Sequence, residues 1–136
     1  TISKEGGLGW TTCSVDDSAG SAQAIKNDVT NLQFATPRAV QDVTGIDKSA
    51  IERQLLLADF SINLNGVVNV EADKSHSVLK TVSSTSVVRT VDLGHASQTL
   101  SNECLFTDYQ WTRAATGELT FAAPGVLATG VVPTWS

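Results

Sequence analysis

The stretch Leu57–Val82, LADFSINLNGVVNVEADKSHSVLKTV, changes its periodicity halfway along, and that change decides the fold. Phe60, Ile62 and Leu64 alternate with Ser61, Asn63 and Asn65, the period of a strand with one face buried. Asn65-Gly66 is the dipeptide most typical of a two-residue hairpin turn. Such a turn would set Ile62 opposite Asn69 and Phe60 opposite Glu71, pairing core residues with polar ones. A three-residue connection sets Leu64 opposite Val68, Ile62 opposite Val70 and Phe60 opposite Ala72. A one-residue slip exchanges the faces of a strand, so the apolar match outweighs the dipeptide. The expectation is the longer connection, or no tight hairpin at all.

Beyond Glu71 the spacing suits a helix over about residues 72–82, with Val78, Leu79 and Val82 on one side. Asp73 is placed to cap it and Lys80 falls in its last turn. A helix this short is marginal alone in water and must dock on a sheet.

The surrounding segments read as strands at 10–15, 27–35, 37–45, 85–94, 103–114 and 117–126, with AATGE turning between the last two. Asp16 and Asp17 supply turn chemistry after the first, and Pro37 opens the third, where a missing donor does least harm. IDKSAIERQLLL (46–57) has two readings. It is either a short helix capped by Asp47, with Ile51, Leu55 and Ala58 on one face, or an extended excursion from the domain, which is slightly favoured. The expected fold is mainly β: a β-sandwich or flattened barrel of six to eight antiparallel strands with one short helix packed on it.

A chain of 136 residues has the length of a single domain and needs no staples to hold a core. No apolar run approaches the ~20 residues of a membrane span, so no membrane binding is expected. TISKEGGLGW lacks a signal peptide's basic and apolar regions, and synthesis in a cytoplasm is expected. Cys13 and Cys104 then read as small buried side chains on strands rather than a disulfide. Net charge is −5, and Lys and Arg are scattered, so firm nucleic-acid binding is not expected.

Chemistry is hard to find. His76 and His95 have no carboxylate or second ligand at metal or acid–base spacing, and they read as surface or capping residues. GGLG (6–9) follows no strand and lacks GK[ST], which fits an N-terminal arm better than a phosphate loop. No nucleophile-elbow or zincin motif occurs. No catalytic, cofactor-binding or metal site is expected, and the chain reads as a non-enzyme. Tyr109 and Trp111 share one face of a strand, which fits a carbohydrate-stacking platform or, more often, a core or subunit interface. Strand 103–114 has Cys104 and Phe106 on one face and Leu105, Tyr109 and Trp111 on the other. Coverage of both faces is natural for a subunit inside an assembly.

The order of VQDVTG (40–45), an excursion, LADFSINLNGVVN (57–69), a helix, a strand, ECLFTDYQWTRAATGELTFAAPG (103–125) and VPTW (132–135) resembles the major tail (tail tube) proteins of tailed bacteriophages. The resemblance spans most of the chain from about Val29 onward. It implies one tail-tube-like domain over 1–136, with an N-terminal arm at 1–9 and an inter-subunit loop at 44–57. Subunits would form homo-oligomeric rings, typically of six, stacked into a hollow tube through which DNA passes without adhering. Tape measure, terminator and distal tail proteins would be its other partners, in a virion tail. Thr1, Ile2, Leu8, Ile46, Ile51, Leu55 and Leu56 are the expected inter-subunit contacts. The alternative is a β-sandwich carbohydrate-binding or adhesin module, resting on Tyr109 and Trp111.

Overall fold

The computed structural model describes residues 10–136. The arm expected over residues 1–9, with Thr1, Ile2, Leu8 and GGLG, lies outside the described residues. In chain order the strands are β1 (Trp10–Asp16), β2 (Ala22–Ala24), β3 (Val29–Ala35), β4 (Arg38–Asp42), β5 (Arg53–Ala58) and β6 (Ser61–Val67). Helix α1 (Ser75–Leu79) follows, then β7 (Arg89–His95), β8 (Gln98–Phe106), β9 (Gln110–Arg113) and β10 (Leu119–Leu127). One antiparallel sheet runs β2-β1-β7-β8-β10-β6-β3, with β9 also paired to β10, and β4 and β5 form a separate two-stranded sheet. The mainly β sandwich expected from the alternation is the observed class, with ten strands among the described residues rather than six to eight.

β6 lies between β10 and β3. Phe60, Ile62 and Leu64 are fully buried, as their alternation requires, and each contributes roughly 2 kcal/mol by leaving water. They share one core with Val78 and Leu79 of α1, Val91 and Leu93 of β7, and Phe121 of β10. No hairpin follows. The predicted pairing of Leu64 with Val68 and Ile62 with Val70 does not occur; Leu64 pairs instead with Leu32 and Ala123, and Ile62 with Phe34 and Gly125. The strand runs straight through Asn65-Gly66 because the glycine serves close approach, not a turn. A Cβ on Gly66 would stand 2.1 Å from the Asp28 carbonyl oxygen. That carbonyl accepts a 2.9 Å hydrogen bond from the Val67 amide.

The helix spans five residues rather than the eleven expected, and Asp73 does not cap it. Asp73 adopts φ 61°, and the N-cap position is Lys74, whose side chain makes no capping bond. Capping comes from outside the segment. The buried Asp28 carboxylate, in the turn before β3, accepts from the Ser75 amide (3.2 Å) and from Asn69 Nδ2 (3.1 Å). At the other end the buried Arg89 guanidinium donates to the Val78 carbonyl (2.9 Å), the Asp16 carbonyl (2.8 Å) and Thr81 Oγ1 (2.9 Å). Burial holds the Arg89 pKa below its ordinary value, and Asp16 and Asp17 oppose that shift. The helix is therefore tied at both ends by charged residues outside its own segment.

Residues 103–114 form two strands, not one. β8 pairs with the C-terminal part of β10 (Phe106 with Gly125) and β9 with its N-terminal part (Trp111 with Phe121), so the chain turns a corner at 107–109. Pro124 explains the corner. Its carbonyl accepts from the Thr107 amide at 3.1 Å, so its missing N–H faces the same side, where the ladder breaks. Cys13 and Cys104 are free, buried and on β1 and β8, as read from the sequence. Burial pushes their thiols up to about 11 and about 12.

Candidate functional site

Residues 43–52 are coil, turns and bends between β4 and β5, and these two strands pair outside the main sheet, so the helical reading of 46–57 does not hold. β3 leads into β4 and β5 returns into β6, making a two-stranded arm rooted at Ala35 and Ser61. Its base is fastened by the Arg38 guanidinium, which donates twice to the Leu56 carbonyl (2.9 and 2.7 Å), and by the Asp59 amide on the Pro37 carbonyl (3.0 Å). Near its tip Asp42 Oδ1 accepts from the Thr44 amide and hydroxyl, and these bonds hold the Asp42 carboxyl below its usual pKa. Thr44 Oγ1 in turn accepts from the Glu52 amide at 2.8 Å.

The arm carries bare aliphatic side chains among its charged ones. Ile46 and Ile51 are exposed at the tip, and Leu55 and Leu56 are exposed on β5. Successive strand residues face opposite ways, so neither face of the arm is buried in its own fold. Leu57 (90% exposed), Val40 and Val43 extend the same surface and were not singled out in the sequence; the unbroken LLL run was the available signal. A two-stranded hairpin is marginal by itself in water, and several bare aliphatic side chains add to that cost.

A second exposed apolar group lies at the far end of β6 and β10. Trp111, Leu119, Val67 and Val70 are exposed there. His76 Nδ1 lies 3.1 Å from the Tyr109 hydroxyl, and the His76 ring meets Trp111 edge-on with centroids 5.2 Å apart. His76 is therefore part of an aromatic cluster rather than a lone surface residue. Tyr109 packs on Phe121, and burial raises its pKa above the ordinary phenol value. Tyr109 and Trp111 stand at 89° to one another, with centroids 6.3 Å apart. Two perpendicular rings do not make the flat platform on which a sugar ring stacks. At the opposite side of the sheet, His95 meets Trp10 edge-on at 5.2 Å.

The sheet also divides by charge. β3, β6 and β10 contain no charged residue, and their outward positions hold Gln33, Asn63, Asn65 and Thr120, beside the exposed aliphatic Val67, Leu119 and Val126. Asp16, Asp92 and Glu103 are the acidic residues of β1, β7 and β8, and Arg89, the one cation of these strands, is buried. Hydroxyls hold the carboxylates: Ser101 and Ser14 donate to Asp92, and Thr90 to Glu103 at 2.6 Å.

No protein-family model and no curated relative matches the sequence. The fold has solved counterparts. A chain from the tail of an empty gene transfer agent particle, a tail refined as a helix with C6 symmetry, superposes with a TM-score of 0.71 at 14% identity, over 98% of each chain. A chain from the virion of a native gene transfer agent particle superposes with a TM-score of 0.69 at 15% identity, over 96% of this chain and 99% of the other. At that identity the likeness is one of fold, and it runs the full length of both chains. The tail-protein resemblance read from the order of segments is thus met by the fold.

Proposed function

We propose that this chain is a structural tail protein of a phage-like particle, a subunit that self-assembles into stacked rings forming a hollow tail tube through which DNA passes. The observation that carries the reading is the end-to-end match of its fold to a chain from a particle tail. Sixfold rings are the corresponding proposal for this chain, because that tail has C6 symmetry. The exposed arm supports the same reading. A hairpin with bare aliphatic side chains becomes stable when a neighbouring copy covers them, and a head-to-tail contact whose rotation closes produces a ring. Ile46, Ile51, Leu55 and Leu56 are its proposed inter-subunit contacts, joined by Leu57 and Val40.

Charge fits a conduit. The strands of the main sheet other than β9 carry no exposed Lys or Arg, so an outward face of this sheet offers DNA carboxylates, amides, hydroxyls and some aliphatic surface. Phosphates are repelled or ignored by such a surface, since adhesion needs grouped cations that release counterions. The role is one of shape, with no catalytic step.

Electron microscopy of the purified full-length chain tests the proposal. Rings or uniform hollow filaments are expected. A chain that stays monomeric at high concentration and binds glycans with a change in Trp fluorescence would replace it with the carbohydrate-binding reading. Leu55→Glu or Leu56→Glu should abolish polymers while leaving a folded monomer, and tubes that survive both changes would remove the arm from the interface.

A further inference from the structure

Residues 128–136 interrupt an otherwise regular ladder. β10 and β8 run antiparallel, with Gly125 opposite Phe106 and Leu127 opposite Cys104. Two more bonds keep that register: the Thr107 amide on the Pro124 carbonyl at 3.1 Å and the Ala128 amide on the Glu103 carbonyl at 3.0 Å. Continued residue for residue, it would set Gly130 opposite Ser101, Val131 opposite Leu100 and Val132 opposite Thr99. The chain takes another course. Leu100 is bridged to Trp135, and Thr99 exchanges both backbone bonds with Ser136 at 2.9 and 3.1 Å. The partner of Leu100 thus comes four residues late, and the surplus forms a loop over 129–134 that skips Ser101.

Both courses suit the same strand edge. A shift of four is even, so every side chain keeps its face, and Val131 can take the core-facing place of Trp135. Only alternate residues of an antiparallel strand bond to a given neighbour, and Ala128, Gly130 and Val132 are the ones whose amides would meet β8. Pro133, which has no amide hydrogen, falls at a position that needs none. Gly130 takes φ 73° in the loop and, as glycine, is equally at home in an extended strand. The exchange is like for like. The observed course sets Trp135 against Phe34, with ring centroids 5.8 Å apart, and leaves Val131 and Val132 66% and 64% exposed. The other would cover Val131 at the Leu100 end of the core and add Ser101 to the ladder, while giving up the Trp135 contact.

The loop also touches the foot of the arm. Val132 lines a groove with Arg38 and residues 55–58 of the arm. Phe34 immediately precedes Ala35, where the arm is rooted, and β10 and β6 separate its strand from β8. Trp135 therefore reaches from one side of the sandwich to the other.

We propose that residues 128–136 are a strap with two registers. In the register seen, Trp135 clasps Phe34 and Val132 sits at the foot of the arm. In the second, shifted by four residues, Val131 replaces Trp135 opposite Leu100, Val132 replaces Ser136 opposite Thr99, and the groove at the foot of the arm loses one wall. Whatever moves the foot of the arm then biases the strap, and the strap biases the arm in return. The strap belongs to the single chain and stands apart from the tail-tube reading.

Backbone NMR and amide exchange on the dilute full-length chain test it. Trp135→Ala, at a half-exposed position, should favour the second register. The Gly130 and Ser101 amides should gain protection of about tenfold or more, while Ser136 loses it. An Hα–Hα contact should join Leu100 to Val131 in place of residue 135. Val132→Pro removes the amide that the second register needs opposite Thr99; in the register seen, the Val132 carbonyl accepts from the Thr134 hydroxyl at 3.1 Å and is untouched. Adding Val132→Pro to Trp135→Ala should therefore cancel the gains at Gly130 and Ser101. In the wild-type chain, saturation-transfer NMR should find a minor state confined to residues 128–136 and the strand edge and groove they touch, absent from Val132→Pro. A strap that merely frays in Trp135→Ala, with Thr99 losing protection and Ser101 gaining none, would overturn the proposal. So would a wild-type chain without the minor state.

Discussion

Gly66 separates two accounts of the Asn65-Gly66 dipeptide, and replacing it decides between them. In the structure its missing side chain makes room for another backbone. An added Cβ would lie 2.1 Å from the Asp28 carbonyl oxygen and 2.9 Å from Val29 Cα, both main-chain atoms that no rotamer change can move. Gly66→Ala must therefore push β3 away from β6 at its first residues. Overpacking of this kind costs about 1–3 kcal/mol. The same movement strains the 2.9 Å bond from the Val67 amide to Asp28, worth about 1 kcal/mol. The sum is about 3 kcal/mol, a fifth or more of the whole stability of an ordinary domain. For a chain of this length that lowers Tm by about 10 °C.

Thermal and urea unfolding of the dilute chain, followed by circular dichroism, measures the loss. Gly117→Ala is the matched control. It sits at φ 102° with nothing within 4 Å, so only backbone strain of about 1–2 kcal/mol applies. Gly66→Asn sharpens the comparison. Asn is well tolerated at the left-handed positions of a hairpin turn, so a turn at Gly66 would make Asn milder than Ala. In a crowded strand the larger side chain is at least as damaging. A Gly66→Asn protein more stable than Gly66→Ala, or a Gly66→Ala protein no worse than Gly117→Ala, would refute the close-approach argument.

Asp28→Ala should cost about 3 kcal/mol in urea unfolding, because it strips the Ser75 amide and Asn69 Nδ2 of their acceptor in a buried site, and amide exchange at Ser75 should accelerate selectively. The two cysteines set an alkaline limit. Their folded pKa values of about 11 and about 12 lie above the ordinary 9.0, so above pH 9 the unfolded chain loses protons that the folded chain keeps. Stability is thus fully present below pH 9 and falls as pH rises toward the folded values, and a Cys13→Ala, Cys104→Ala protein should show a shallower decline in urea midpoint between pH 9 and 10.5.

What was legible in the sequence is the part that local periodicity encodes. Alternation at Phe60, Ile62 and Leu64 requires a half-buried strand wherever its partners come from, so its burial and facing could be read without knowing the topology. The partners could not. β6 pairs with β3 and β10, segments about thirty residues before it and sixty after it, and a dipeptide cannot report on either. The helix shows the same division. Val78 and Leu79 mark the face that docks, but its bounds are fixed by Asp28 and Arg89, while Asp73, the plausible local cap, takes a left-handed conformation instead. Where a cue and its structural partner lie in one segment, as in AATGE with its Ala114–Glu118 hydrogen bond, the reading and the structure agree.

The arm lies between these cases. Its departure from the domain is the slightly favoured of two readings of IDKSAIERQLLL, and what would cover it, on the tail-tube proposal, is a second molecule. A chain selected to fold alone has little reason to keep Ile46, Ile51, Leu55 and Leu57 bare on a hairpin that is itself marginal. The same residues are consistent with selection for a surface that is exposed only until the next copy arrives. In that sense the strongest functional signal in this sequence is a local violation of the rules that govern the rest of it, since departures from foldability concentrate where function demands them.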